Sequence, residues 1–100
     1  MKTLRNGWVE GSTREFLGLT PADHEYLETK LALGLRLRRI RARLNLSQTA
    51  LAARLRTSQS RVAKMEAADP SVSVDLLLNA LFQLGATTKD LLRRLPRNSD

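Results

Sequence analysis

Leu33, Leu37, Ile40 and Leu44 recur at i, i+4, i+7 and i+11, one continuous apolar stripe with the period of an α-helix. Upstream, Thr20-Pro21-Ala22-Asp23 predicts the start of that helix. Threonine accepts from the early N–H groups, proline fits the first helical position, and aspartate takes the third. From there to Leu44 only Gly34 interrupts, at about 1 kcal/mol relative to alanine. The pattern predicts one long helix, or two segments meeting near Gly34. Asn45-Leu46-Ser47 then breaks the period, and Ser47 caps a short helix over 48–55 with Leu51, Ala52 and Leu55 apolar. Arg56-Thr57-Ser58 makes a tight connection, and Ser58 caps a helix over 59–66 with Val62 and Met65 inward. Asp69-Pro70 forces a loop. Ser73 starts a helix over 74–84, carrying Val74, Leu77, Leu78, Leu81 and Leu84 and stopped by Gly85. Thr88 caps a last helix that ends before Pro96. No segment alternates with period two, so no sheet is predicted. Residues 1–19, with Gly7, Gly11 and Gly18 among apolar residues of no helical period, read as an arm. The expected organisation is an arm over 1–19, a five-helix all-α domain over 20–96 and a tail over 97–100.

Charge changes the picture more than composition does. The chain has 17 Lys+Arg against 10 Asp+Glu, a formal charge of +7. Residues 1–35 and 65–100 each sum to −1, whereas 36–64 hold nine basic groups and no acid. A solvated helix face normally mixes signs, because unrelieved like charge repels itself. A polyanionic partner accounts for the pattern better.

Other chemistry is scarce. Apolar residues make up 42% of 100 residues, enough for one thin core, and Phe82, Leu91, Leu92 and Leu95 exceed what five small helices should hide, which predicts self-association. There is no cysteine, so disulfides, thiol catalysis and thiolate metal sites are excluded. His24 is the single histidine, which leaves no His-based metal cage. No cofactor and no metal are expected. No apolar run approaches the roughly 18–20 residues of a membrane span, and the N-terminus lacks a signal-peptide core, so the expected setting is cytoplasmic, away from membranes.

Residues 47–66, SQTALAARLRTSQSRVAKME, hold the most informative pattern. Two short helices with a small residue at their contact describe a helix-turn-helix. Ala52 must be small for the second of them to seat, and Leu51, Leu55, Val62 and Met65 fix the crossing angle. Gln59, Ser60, Arg61 and Lys64 then project as one ridge. A helix of roughly 10–12 Å diameter enters the major groove, where arginine or lysine takes guanine O6/N7 and glutamine takes adenine N6/N7.

LRLRRIRARLNLSQTALAARLRTSQSRVAKME resembles the Cro/C1-type (XRE, lambda-repressor-like) helix-turn-helix domain of phage repressors and bacterial regulators, a likeness that covers roughly residues 31–92. More narrowly, FLGLTPADHEYLETKLALGLRLRRIR leading into SQSRVAKMEAADPSVSVDLLLNALFQLGAT is similar to antitoxins of the HigA type, which are encoded beside RelE-like ribonuclease toxins. The resemblance implies that Gln59, Ser60, Arg61 and Lys64 face bases. It implies that Gln48 contacts a phosphate and steadies the recognition helix, with Thr57 and Ser58 near the backbone. Arg41 and Glu66 match a family ion pair tying the first helix to the end of the third, and Glu66 is the only acid in residues 29–67. Family members often carry glycine where Arg56 and Ala68 stand. If both positions are left-handed, each side chain costs roughly 1 kcal/mol.

The expected function is a homodimeric, sequence-specific regulator on a palindromic operator in double-stranded DNA, with Arg38, Arg39, Arg43, Arg54 and Arg56 neutralising phosphates. The antitoxin resemblance adds neutralisation of a RelE/HigB-like ribonuclease toxin and repression of the chain's own operon; the alternative is a stand-alone repressor of the XRE family. Trp8, Phe16 and Leu17 of the arm are the expected toxin contacts, although Trp8 and Phe16 could equally fold back on the first helix. Enzymatic chemistry has little support, since there is no histidine–carboxylate pairing, metal-ligand spacing or phosphate loop. RNA binding is weaker too, because the few aromatics lie outside the basic segment and leave it no stacking platform.

Overall fold

The computed structural model describes residues 18–93, in which five helices follow one another: α1 (Pro21–Arg43), α2 (Gln48–Leu55), α3 (Gln59–Glu66), α4 (Val74–Gln83) and α5 (Thr88–Arg93). No strand occurs among the described residues. The arm, with Trp8, Phe16 and Leu17, and the segment from Arg94 through Leu95 and Pro96 to the tail lie outside the described residues.

The caps are placed largely as the side chains require. Thr20 and Asp23 form a reciprocal capping box, at 3.0 and 3.1 Å. Ser47, Ser58 and Ser73 accept from the N–H groups of Ala50, Arg61 and Leu76, at 3.0, 3.1 and 3.1 Å. The last helix differs from expectation. Thr87, not Thr88, caps it, because Asp90 three residues on completes a second capping box with Thr87 at 3.0 and 3.1 Å.

α2 to α5 are six to ten residues long, below the roughly 12–15 residues an isolated helix needs, so packing holds them. Leu33 and Leu37 from α1 meet Leu51 and Ala52 from α2, Val62 and Met65 from α3, and Leu77, Ala80 and Leu81 from α4. Each large side chain removed from water contributes about 1.5–3 kcal/mol. The α1 stripe runs out before its predicted end: Leu44 follows the last helical turn and is 42% exposed. Leu91 is buried in the core, against the expectation that it supplies surplus apolar surface, whereas Phe82 and Leu92 are exposed.

α1 is one helix through Gly34, and the reason for the glycine is tertiary. A Cβ there would lie 2.8 Å from the carbonyl oxygen of Met65 and 2.9 Å from that of Glu66. The end of α3 therefore rests directly on the backbone of α1. Those carbonyls belong to the chain itself and cannot rotate aside. Replacing Gly34 by alanine should lower the unfolding free energy in urea by about 1–3 kcal/mol, although alanine is the better helix former.

Candidate nucleic-acid interface

The turn between α2 and α3 is made by backbone geometry. Arg56 is left-handed, at φ 60° and ψ 48°, which lets the Thr57 N–H reach the Ala52 carbonyl at 2.9 Å and the Arg56 N–H reach Ala53 at 3.2 Å. α3 ends the same way: Ala68 has φ 55°, Asp69 N–H donates to Lys64 at 2.9 Å and Ala68 N–H to Met65 at 3.1 Å. Both non-glycine positions are thus left-handed, at roughly 1–2 kcal/mol each, and the paired hydrogen bonds satisfy carbonyls the helix ends would otherwise leave open.

Behind this turn Ala52 is 3% exposed and Val62 fully buried, so α3 seats closely on α2. Gln59, Ser60, Arg61 and Lys64 are all exposed; Ser60 and Lys64 lie opposite Val62 and Met65 on α3, and Gln59 and Arg61 flank them. Ser60, Arg61 and Lys64 line one cleft, whereas Gln59 is bonded to Gln48.

A polar chain backs the ridge. Arg41 donates to both carboxylate oxygens of Glu66 and, through Nη1, to the Leu46 carbonyl at 2.9 Å. The Glu66 side chain is 5% exposed and that of Arg41 18%. The hydrogen bond to Glu66 raises the Arg41 pKa above its ordinary value, so the guanidinium stays charged. Gln48 Nε2 donates to Glu66 at 3.1 Å, and Gln59 Nε2 donates to Gln48 Oε1 at 2.7 Å. α1, α2 and both ends of α3 are therefore joined by one set of side chains. The sequence signals the Arg41–Glu66 pair, because Glu66 stands alone among bases. It carries no signal for the Gln48–Gln59 link, whose partners are eleven residues apart on different helices.

Thr57 is half-buried, and the Ser58 hydroxyl caps α3 and lies 3.3 Å from that of Ser60. Arg38, Arg39, Arg43, Arg54 and Arg56 are exposed, but the three on α1 do not share one side. Helical spacing puts Arg38 with Arg41, which faces α3. Arg39 and Arg43 fall with Arg36, which donates to the Asp90 carbonyl at 3.5 Å on the α5 side.

A cleft of about 270 Å³ opens beside the ridge, lined by Ser58, Ser60, Arg61 and Lys64 and closed by Ser71 and Val72. The closing turn is held by Asp69, whose Oδ2 accepts from the Ser71 hydroxyl at 2.6 Å and its N–H at 2.9 Å. Those two bonds keep the Asp69 carboxyl below the ordinary carboxylate range. Sequence reasoning reached only a forced loop here and missed Ser71.

Comparison with known proteins settles the family. A model described as "Helix-turn-helix domain" matches residues 32–95. The chain belongs to the helix-turn-helix family, of the Cro/C1 type. No curated protein and no solved structure matches it. The matched span of this helix-turn-helix protein takes in the rear half of α1, all of α2 to α4 and the described α5. Among the described residues no group of three or more His, Asp or Glu is placed to hold a metal, and no helix is long and apolar enough to cross a membrane.

The enclosed Glu66 makes a clear prediction. Removing one side of a buried ion pair strands the other, so Glu66→Ala should cost about 3–5 kcal/mol in urea unfolding. The double variant Arg41→Met with Glu66→Leu, which leaves no stranded charge, should lose less.

Proposed function

We propose that this helix-turn-helix protein is a sequence-specific transcriptional regulator that reads a palindromic operator as a homodimer. The observation that carries the reading is the exposed ridge of Gln59, Ser60, Arg61 and Lys64, on a helix whose other side is sealed into the core. In the major groove these residues face base edges. Arg38, Arg39, Arg43, Arg54 and Arg56 supply phosphate neutralisation together with Thr57 and Ser58, and Gln48 combines a phosphate contact with its bonds to Glu66 and Gln59. Exposed Phe82 and Leu92 on α4 and α5 offer the apolar surface for pairing, which two-fold symmetry would turn into two recognition helices about 34 Å apart.

The narrower role is that of an antitoxin which neutralises a RelE/HigB-like ribonuclease and represses its own operon. It is supported by the sequence likeness given above and by the first half of α1. There Tyr26, Leu27 and Leu31 are exposed, with Asp23 one turn before Tyr26 and Leu27, an apolar surface carrying an acid and suited to a basic protein. Trp8, Phe16 and Leu17 of the preceding arm extend the same contact in this reading.

Base readout and toxin contact are separable. Arg61→Ala should weaken operator binding by about 1–3 kcal/mol with a smaller loss on random DNA, measured by fluorescence anisotropy. Equal losses on the two duplexes would remove Arg61 from base readout. Deleting residues 1–19 should abolish rescue of growth from the co-expressed toxin while leaving operator binding largely intact. Full rescue by the truncated chain would remove the arm from the contact, and a neighbouring gene that encodes no ribonuclease-like protein would favour the stand-alone repressor.

A further inference from the structure

α1 carries a second apolar line besides the one it buries. Leu33 and Leu37 enter the core, whereas Leu27, Leu31 and Leu35, at i, i+4 and i+8, are not among the side chains packed there. Leu27 is 41% exposed, Leu31 52%, and Leu35 is half-buried. Helical spacing sets Arg38 in line with Leu31, Arg39 one turn beyond Leu35, and Glu28 one turn before Leu31. The family match starts at residue 32, so Leu27, Glu28 and Leu31 lie outside the helix-turn-helix span. Phe82 and Leu92, the pairing surface above, are on other helices.

The charge order along α1 selects what covers this line. Its acids, Asp23, Glu25 and Glu28, all fall in its first eight residues, and its arginines, Arg36 to Arg43, in its last eight. A partner of one sign is attracted at one end and repelled at the other. A parallel second copy stacks like charge on like. An antiparallel one lays the acidic half of each helix over the basic half of the other and sets leucines against leucines, the complementarity that fixes orientation in paired helices. Glu28, Arg38 and Arg39 are available for it, since none makes a hydrogen bond or ion pair among the described residues. Leu27 to Leu35 span about 12 Å of helix, a contact of the small, reversible class.

We propose that a second copy of this chain docks antiparallel on the Leu27–Leu31–Leu35 line of α1, with Glu28 of each copy against Arg38 and Arg39 of the other. Because those arginines are also proposed phosphate contacts, this pairing and duplex DNA exclude one another at α1. The pairing stands apart from the DNA-binding reading, and the exclusion rests on it. Leu27 and Leu31, offered above to a toxin, are covered in the pair as well.

The test uses full chains, at first without DNA. The sequence has no cysteine, so an introduced thiol is unique. His24 and Ala42 stand at opposite ends of the line, about 27 Å apart along the helix. His24→Cys mixed with Ala42→Cys should give a mixed dimer with a short bismaleimide linker, while neither variant links to itself. Self-linking without a mixed product would show parallel helices, and no linking would show unpaired ones; either overturns the proposal. Adding Leu31→Asp to both chains should lower the mixed-dimer yield at least about tenfold with an unchanged circular-dichroism melt, and an undiminished yield would overturn the leucine contact. Glu28→Arg in both should also lower it, and Arg38→Glu with Arg39→Glu added should restore it; failure to restore would overturn the charge pairing. Trp8 is the one tryptophan. A red shift of its emission in Leu31→Asp, with no mixed dimer in the parent mixture, would assign the line to the arm and overturn the proposal. Excess duplex of arbitrary sequence should suppress the mixed dimer. An undiminished yield, with that duplex seen bound by fluorescence anisotropy, would overturn the exclusion. Absence of duplex binding by the wild-type chain would overturn the DNA-binding reading and the exclusion together, while the cross-link still decides the pairing.

Discussion

The seating of α3 on α1 is the contact on which the rest of the molecule depends. α3 has eight residues and no stability of its own, so its direction in space is whatever its neighbours impose. At its C-terminal end the carbonyls of Met65 and Glu66 rest against Gly34, a separation that tolerates no side chain. About two turns further along α1, Arg41 holds the Glu66 carboxylate. A steric contact and an ionic one thus fix the same end of the same helix. The N-terminal end is fixed differently, by the α2 turn and by Gln59 bonded to Gln48. Because Glu66 also accepts from Gln48, the two ends are not independent: displacing α3 from Gly34 would pull on the side chain that steadies Gln59.

The nine-base segment reads differently once folded. Arg41 is half-buried against Glu66, and Arg36 is turned to the Asp90 carbonyl and α5. The other seven basic residues of 36–64 are exposed. An acid-free run in the sequence therefore combines two physical roles. One arginine is desolvated, which is tolerable because Glu66 and the Leu46 carbonyl satisfy its guanidinium, and the remainder are left for a polyanion. Lys30 extends the same economy to the acidic half of α1, where its ammonium is buried on a backbone carbonyl and adds little to the surface field.

Much of this architecture is written in local pattern, and what is not has identifiable causes. Helix boundaries for α2 and α3 follow from Ser47 and Ser58, since each serine precedes an apolar period and its hydroxyl has only one nearby set of N–H groups to serve. Thr87 and Thr88 compete for the same role, and the deciding signal, Asp90 at the third helical position, was present in the sequence as a capping-box spacing. Gly34 is the opposite case. Within one helix a glycine registers only as lost propensity, and its purpose appears when a second helix is placed against it. The ridge on α3 was legible because burial of Val62 and Met65 fixes which residues face outward. The cleft was not, because its second wall comes from a turn whose position depends on Lys30, more than forty residues upstream of Val72.

The Gln48–Gln59 bond raises a question of supply: a side chain already engaged must still be able to read a base. A glutamine amide offers two N–H donors and one carbonyl oxygen. Gln59 commits one N–H to Gln48, and no bond to its Oε1 occurs among the described residues, so one donor and the acceptor remain. That is the pair adenine requires, a donor to N7 and an acceptor for the N6 amine. The tether therefore costs the proposed readout nothing in hydrogen-bonding capacity. It also removes rotamer freedom before DNA arrives, and ordering a free glutamine on binding costs on the order of 1 kcal/mol. The network running back to Glu66 and Arg41 thus converts the stability of the core into a fixed orientation at the surface, the property a small domain needs if a few side chains are to distinguish one sequence from another.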